Sequence, residues 1–413
     1  MSVVTVAVQS ASASARESCR PMENLLPFNT PDYIASPYAH WERLRDEAPI
    51  YWCEDGNFWA VTRYDDVLAV LHDPARFSSG GGPGGRGEES GLPRLPLIQD
   101  DPPHHDRLRR ILSKAFTPRI TAEREERLRE IADGLIEQLR LRLRSGEAVD
   151  LVRMFTSPFP VNVIAEILGI PPEKHDQLRM WNATTSVTGA SEIMQDQAPT
   201  LMREMYDALA ELIEERRADR RDDLFSALID ASENDESPLK PEELVGLCQL
   251  LWTAGNETTT NLLSNSALVL QESPDLLRTV QKQPDRIPVM IEELLRLQSP
   301  VNCLARRASE DVELHGQKLQ KGDVMMVFFA AANRDPRHFD RADEFRMDRR
   351  PNDHVAFSHG IHFCLGSHLA RLEARIGLEA LGRLLPEVEI RPDRGARIPT
   401  GILRGWMTLP IEA

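Results

Sequence analysis

Cysteine is scarce in this 413-residue chain: five, at positions 19, 53, 248, 303 and 364, and no two in a Cys-x-x-Cys pair. So odd and scattered a set excludes a disulfide framework and a paired-cysteine zinc or iron–sulfur site. A reducing cytoplasm is the expected home. Long apolar runs are missing too; none approaches the ~18 residues of a membrane-spanning helix. Positive charge is in deficit. Lys and Arg number 49 against 65 Asp and Glu, a formal charge of −16, which argues against nucleic acid as the main partner. No glycine-rich fingerprint for a flavin or nicotinamide occurs. Residues 1–20 carry a short apolar piece (Val3, Val4, Val6, Val8) and then Ala/Ser alternation, without a basic leader or a long apolar core. They are expected to form a flexible tail rather than a secretion signal.

What is present reads mostly as helix. Leu128, Ile131, Leu135, Leu139 and Leu143 recur three or four apart and form one apolar stripe. Val161–Leu168 is a short apolar helix stopped by Gly169 and Pro171. The run from Pro241 to about Glu272 has no internal proline, opens on Pro-Glu-Glu, and at ~1.5 Å per residue would span ~48 Å. Strand signals are short: a hairpin over 50–62 turning at Asp55-Gly56, and 324–329. The Pro-rich stretch 21–37 is expected to lie along the surface. The glycine-dense stretch 78–91 is expected to be a mobile loop, either a plain linker or a lid. The expected fold is therefore mainly α with small β-sheets; length alone would allow two or three domains.

The chemistry concentrates in Phe357-Ser358-His359-Gly360-Ile361-His362-Phe363-Cys364-Leu365-Gly366. One cysteine sits between two glycines, beside a cation, just before a helical run. Cysteine ligates metals as its thiolate, which N–H groups at a helix start favour. Gly360 and Gly366 let the backbone approach a flat cofactor. The same residues also fit a buried structural cysteine, or a zinc site using His354, His359, His362 and His368, although a closed structural site usually needs paired cysteines.

The ten residues resemble the haem-binding loop of the cytochrome P-450 monooxygenases, Phe-x-x-Gly-x-His-x-Cys-x-Gly; Ser358 stands where relatives often carry glycine. The resemblance extends over roughly residues 32–410 and implies the fold of that family, a single domain over residues 21–413, with haem between the long central helix and the helix after the cysteine loop. It makes Cys364 the axial ligand of haem b, with Phe357 and Gly366 in the same cofactor-binding loop. Ala254-Gly255-Asn256-Glu257-Thr258-Thr259 is similar to the family's oxygen-activating motif. By itself, a threonine bonded back to Ala254 and a solvent-facing Glu257 would account for it. The resemblance instead makes Ala254 and Gly255 the oxygen groove, and Thr258 and Glu257 the groups that deliver protons.

Glu293-x-x-Arg296 matches the family's fold-defining ion pair, for which Arg349 is the candidate third member. His105, Arg109, Arg306 and His362 match the cations that bind the haem propionates; Arg307 is the alternative to Arg306. Ala332-Asn333-Arg334-Asp335-Pro336 matches a family turn with no chemical role. Offsets from these motifs point to Leu250, Ala254, Val301, Asn302, Leu304, Ile402 and Leu403 as the substrate pocket, with Asn302 as a polar contact. That lining implies a lipophilic substrate: steroid, terpenoid, fatty acid or polyketide. The implied reaction is O2- and NAD(P)H-dependent oxidation by a monomer. Electrons would come from an external ferredoxin and ferredoxin reductase, docked on Arg109, Arg110, Lys114, Arg371 and Arg375.

Overall fold

The computed structural model describes residues 24–81, 95–171, 174 and 198–413. The expected tail and most of the expected glycine-rich loop lie outside the described residues. The expected hairpin is present: β1 (Ile50–Cys53) pairs antiparallel with β2 (Phe58–Val61), with Cys53 opposite Phe58. Asn57 makes the turn with φ +54°, a left-handed conformation that asparagine tolerates. These strands join β3 (Phe77–Ser78), β4 (Leu304–Ala308) and β5 (Val324–Val327) in a sheet of order β1-β2-β5-β4-β3. The β2–β5 pair is parallel and the others are antiparallel. The expected 324–329 strand ends at Val327, because Phe329–Ala332 already turns into helix.

Helices build the rest. Those that position the site are α1 (Tyr64–His72), α2 (His104–Ala115), α3 (Glu125–Arg144), α4 (Pro158–Leu168), α5 (Pro241–Glu272), α6 (Ile287–Leu297) and α7 (Ser367–Leu384). In α3 the buried residues are Leu128, Ala132, Ile136 and Leu139; Ile131, Leu135 and Leu143 flank them half-buried. The apolar stripe is thus wider than the leucine pattern alone suggests. Helix α4 ends where Gly169 takes φ +76°, and a Cβ there would fall 2.3 Å from an Asp223 oxygen.

Helix α5 is the central beam. Pro241 fits the first helical position, and the Lys240 N–H donates to the Glu243 carboxylate at 2.8 Å. Helix α7 crosses it closely: a Cβ on Gly377 would fall 2.5 Å from Leu263. The architecture is the expected one, mainly α with small sheets.

One expectation fails. Within the stretch 21–37, the described residues from 24 onward do not simply lie along the surface, because Leu25, Leu26 and Tyr33 are buried in one cluster with Trp41 and Phe58. Tyr33 accepts from the Trp41 indole N–H at 2.9 Å. The prolines drew attention to turns; the apolar side chains between them decide the burial.

Candidate functional site

The cysteine loop is built by two left-handed residues. Ser358 has φ +61° and Gly360 φ +67°. Gly360 is pressed onto the end of α1, where a Cβ would fall 2.5 Å from the Leu71 carbonyl oxygen, so only glycine fits. The Cys364 N–H donates to the Phe357 carbonyl at 2.9 Å and closes the loop. Gly366 then leads directly into α7 and its N–H donates to the Cys364 sulfur. Burial nonetheless pushes the thiol above its ordinary range; the Gly366 N–H, Arg109 and Arg371 oppose it without overcoming it. Backbone amides alone therefore do not hold the anion, contrary to the simplest reading of the loop. A bound cation would, since a coordinating thiol is deprotonated outright.

Ser358 is the one strained position in the loop. It has a Cβ in a region that disfavours one, and its buried hydroxyl has no partner. Ser358→Gly is expected to stabilise the protein by about 1 kcal/mol, the left-handed penalty less the added freedom of an unfolded glycine. Denaturant melts of the two proteins would show it as a rise in midpoint without a change in slope.

Two arginines and two histidines, Arg109, Arg306, His105 and His362, gather beside this loop. His105 is buried, 4.5 Å ring to ring from His362, and its Nε2 has no hydrogen-bond partner. Arg306 is buried on β4, with one donor bonded to the Ala305 carbonyl at 2.7 Å. Arg307, one residue on, points the other way and donates to the Gly322 carbonyl, which favours Arg306 as the inward cation. His362 meets the Ser79 hydroxyl at 3.0 Å. Burial, then Arg306, His105 and Arg109, push the His362 imidazole down to about 3. Burial likewise pushes Arg306 down to about 10, and Asp101 opposes the shift. Arginines packed against neutral imidazole, beside an orphaned ring nitrogen, are costly unless an anion joins them. A group carrying two carboxylates, as haem does, fits the cluster; the half-buried Cys364 thiol would supply a sulfur donor. These residues fit haem.

On α5, Ala254 is exposed while its neighbours Trp252 and Asn256 are buried. The Thr258 hydroxyl donates to the Ala254 carbonyl at 3.0 Å. Gly255 is not demanded by packing within the protein, for a Cβ there would meet Ile164 only at 3.9 Å, ordinary contact. One neighbour escaped the sequence reading: Glu373 of α7 is buried, and burial pushes its carboxyl up to about 8 against the Thr259 hydroxyl.

The expected pocket residues divide. Val301 bridges Leu403, and the Asn302 N–H donates to the Ile402 carbonyl at 2.7 Å, so these two stretches run side by side. The Asn302 side-chain amide donates to the Gly401 carbonyl at 3.0 Å, and its oxygen has no partner in the fold. Leu304 opens β4 half-buried, and Leu250 lies in the main core.

Glu293, Arg296 and Arg349 come together in the interior. Arg296 donates to both Glu293 oxygens at 2.9 and 2.7 Å, and Arg349 Nε sits 3.0 and 3.2 Å from the same pair. Asn333, from the turn given no role, ties this cluster to the cysteine loop. Its carbonyl accepts from Arg296 at 2.8 Å and its side-chain oxygen from the Val355 N–H at 2.7 Å. The basic residues expected to face a ferredoxin are largely matched from within. Arg110 and Lys114 share Asp235, Arg375 pairs with Glu125, and Arg371 with Glu292. The histidines of the zinc alternative scatter: His354 meets Glu292 at 3.2 Å and His359 packs against His72. Among the described residues no three His, Cys, Asp or Glu side chains are grouped to hold a metal ion.

Comparison with known proteins gives the family. The profile of the family described as Cytochrome P450 matches residues 42–398. The putative cytochrome P450 YjiB of Bacillus subtilis (strain 168) is 38% identical over 359 residues, 86% of this chain and 88% of that protein. The polyketide biosynthesis cytochrome P450 PksS of the same strain is 35% identical over 398 residues, 92% of this chain and 96% of that one. Among solved structures, CYP109E1 from Bacillus megaterium in complex with corticosterone superposes with a TM-score of 0.82 at 35% identity. That match covers 92% of this chain and 99% of that one.

Proposed function

We propose, for a chain that belongs to the cytochrome P450 family and is thereby an oxidoreductase of the monooxygenase type, that it oxidises a lipophilic small molecule of steroid or polyketide size. The observation that carries this is the half-buried Cys364 thiol in a loop beside two arginines and two histidines, Arg109, Arg306, His105 and His362. The family implies haem. In this reading the type is haem b, Cys364 binds the iron, and His105, Arg109, Arg306 and His362 bind the propionates. Phe357 and Gly366 frame the sulfur.

Bound haem would supply the activation of O2 and the insertion of one oxygen atom into the substrate. The protein's part is to bind, orient and deliver protons. Ala254 and Gly255 leave room beside α5. Thr258, whose hydroxyl hydrogen is held by the Ala254 carbonyl, presents its oxygen to a proton donor and passes protons on, with Glu257 beside it linked to solvent. Val301, Leu304, Ile402 and Leu403 would offer apolar surface to the substrate, and the free Asn302 oxygen one acceptor. Leu250, in the core, shapes that wall from behind. PksS by its name belongs to polyketide biosynthesis, and CYP109E1 was solved with corticosterone. Both support the substrate class. No helix among the described residues is long and apolar enough to cross a membrane. A cytoplasmic monomer, reduced by ferredoxin and ferredoxin reductase, accords with this.

The test is direct. The reduced, carbon-monoxide-bound protein should show the strongly red-shifted Soret band of thiolate ligation. Turnover of steroid and macrolide panels should require NAD(P)H, the reductase and ferredoxin. Peroxide-only turnover would refute the dioxygen reading. Thr258→Ala should keep the haem band and continue to consume NAD(P)H. Product formation should fall roughly 10²-fold, with hydrogen peroxide released instead, because a positioned proton donor contributes about that much.

A further inference from the structure

Arg371 lies on the first turns of α7, seven residues beyond Cys364. Its Nε and Nη2 donate to the two Glu292 oxygens at 2.7 and 2.8 Å, a bidentate grip from α6. Glu292 is itself held by His354 Nε2 at 3.2 Å. The guanidinium carbon of Arg371 lies over the Phe357 ring, 4.5 Å from its centroid. Phe357 is the residue whose carbonyl accepts the Cys364 N–H. An acid on one edge and an aromatic ring on one face therefore fix a guanidinium beside the cysteine loop. Arg371 stands apart from the cluster of His105, Arg109, Arg306 and His362, where cofactor carboxylates would match the charge.

We propose that Arg371, clamped between Glu292 and the Phe357 ring, is a positioning residue that raises the reduction potential of the thiolate-ligated iron and so eases the first electron transfer. The inference rests on the haem-thiolate reading of Cys364. The step is a one-electron reduction of ferric to ferrous iron by an external one-electron carrier. No bond to protein forms or breaks and no proton is required. The site gains one negative charge, which a fixed nearby cation stabilises. The clamp matters because a freely rotating arginine would spend its time in solvent, where its charge is screened.

The experiment is a dye-mediated redox titration of the holoprotein and its variants, each first checked for the thiolate-type carbon-monoxide band. Arg371→Gln should lower the potential by about tenfold in the one-electron equilibrium, ~59 mV. Arg371→Lys should recover most of it. In a Glu292→Gln background, Arg371→Gln should shift the potential less than half as far, because the clamp is already open. A change under twofold on Arg371→Gln, an undiminished change in the Glu292→Gln background, or an Arg371→Gln chain that no longer holds haem would each overturn the proposal. So would an unchanged potential with slower reduction by ferredoxin, which would make Arg371 a docking residue. Absence of the thiolate band in the unmodified protein would instead strike the haem-thiolate reading itself.

Discussion

Cys364→Ser is expected to abolish both the red-shifted carbon-monoxide band and all turnover. A thiolate is the iron ligand only as an anion, and it pushes electron density onto the iron in a way that favours O–O cleavage. A serine hydroxyl in the same place stays protonated and is a poor ligand for iron. The loop itself should survive the change. Its shape comes from Ser358 and Gly360, from the Cys364 N–H bonded to the Phe357 carbonyl, and from Gly360 seated on Leu71. The Gly366 N–H can donate to the new hydroxyl as it does to the sulfur. The apoprotein should therefore melt within about 1 kcal/mol of the parent, one exchanged hydrogen bond. Difference spectra and denaturant melts on the same preparation separate the two effects. A serine variant that retained the thiolate band would place the ligand elsewhere.

The second large effect is on stability. Glu293→Gln is expected to cost about 3–5 kcal/mol, because it leaves Arg296 and Arg349 charged and buried without their carboxylate. The two arginines would keep only carbonyl partners, those of Asn333, Asp340 and Glu344 among them. Arg349→Met should cost less, since Arg296 would still hold Glu293 through two hydrogen bonds. The pH dependence has a definite sign. Burial alone would raise the Glu293 carboxyl, but its hydrogen bonds with Arg296 and Arg349 hold it below its ordinary value. A carboxyl depressed in the folded state contributes stability above its unfolded value, which is lost as pH falls through the folded one. The parent should lose stability in acid over that window, and the Gln variant should lack that component. Urea midpoints measured from neutral pH downwards would test both statements. A Gln variant as stable as the parent would remove Glu293 from the framework.

Much of this protein can be read from local runs of residues. The helix Pro241–Glu272 follows from an uninterrupted helix-forming stretch behind a proline, and its observed limits are those the pattern indicates. The cysteine loop declares itself because its parts lie within ten residues, so their spacing in the chain is nearly their spacing in space. The same holds for Glu293 and Arg296, three apart on one helix. The spacing to Glu310-Asp311 already favours Arg306 over Arg307; the alternation along β4, which sends Arg307 to the Gly322 carbonyl, is visible only in the strand's register.

Other features come from partners far away in the chain, and no local pattern encodes them. Arg110 is matched by Asp235, 125 residues on, and Arg371 by Glu292, 79 residues back, so a basic patch apparent in the sequence is largely neutralised in the fold. The burial of Leu25, Leu26 and Tyr33, the Gly360 contact with Leu71, and the enclosure of Glu373 beside Thr259 are of the same kind. By itself the amino-acid order determined the elements and the type of chemistry, because propensity, capping and motif spacing act over one or two helical turns. The tertiary structure decided which charges are paired, which are buried and which remain free, because desolvation and Coulomb energies depend on distance in space and not along the chain.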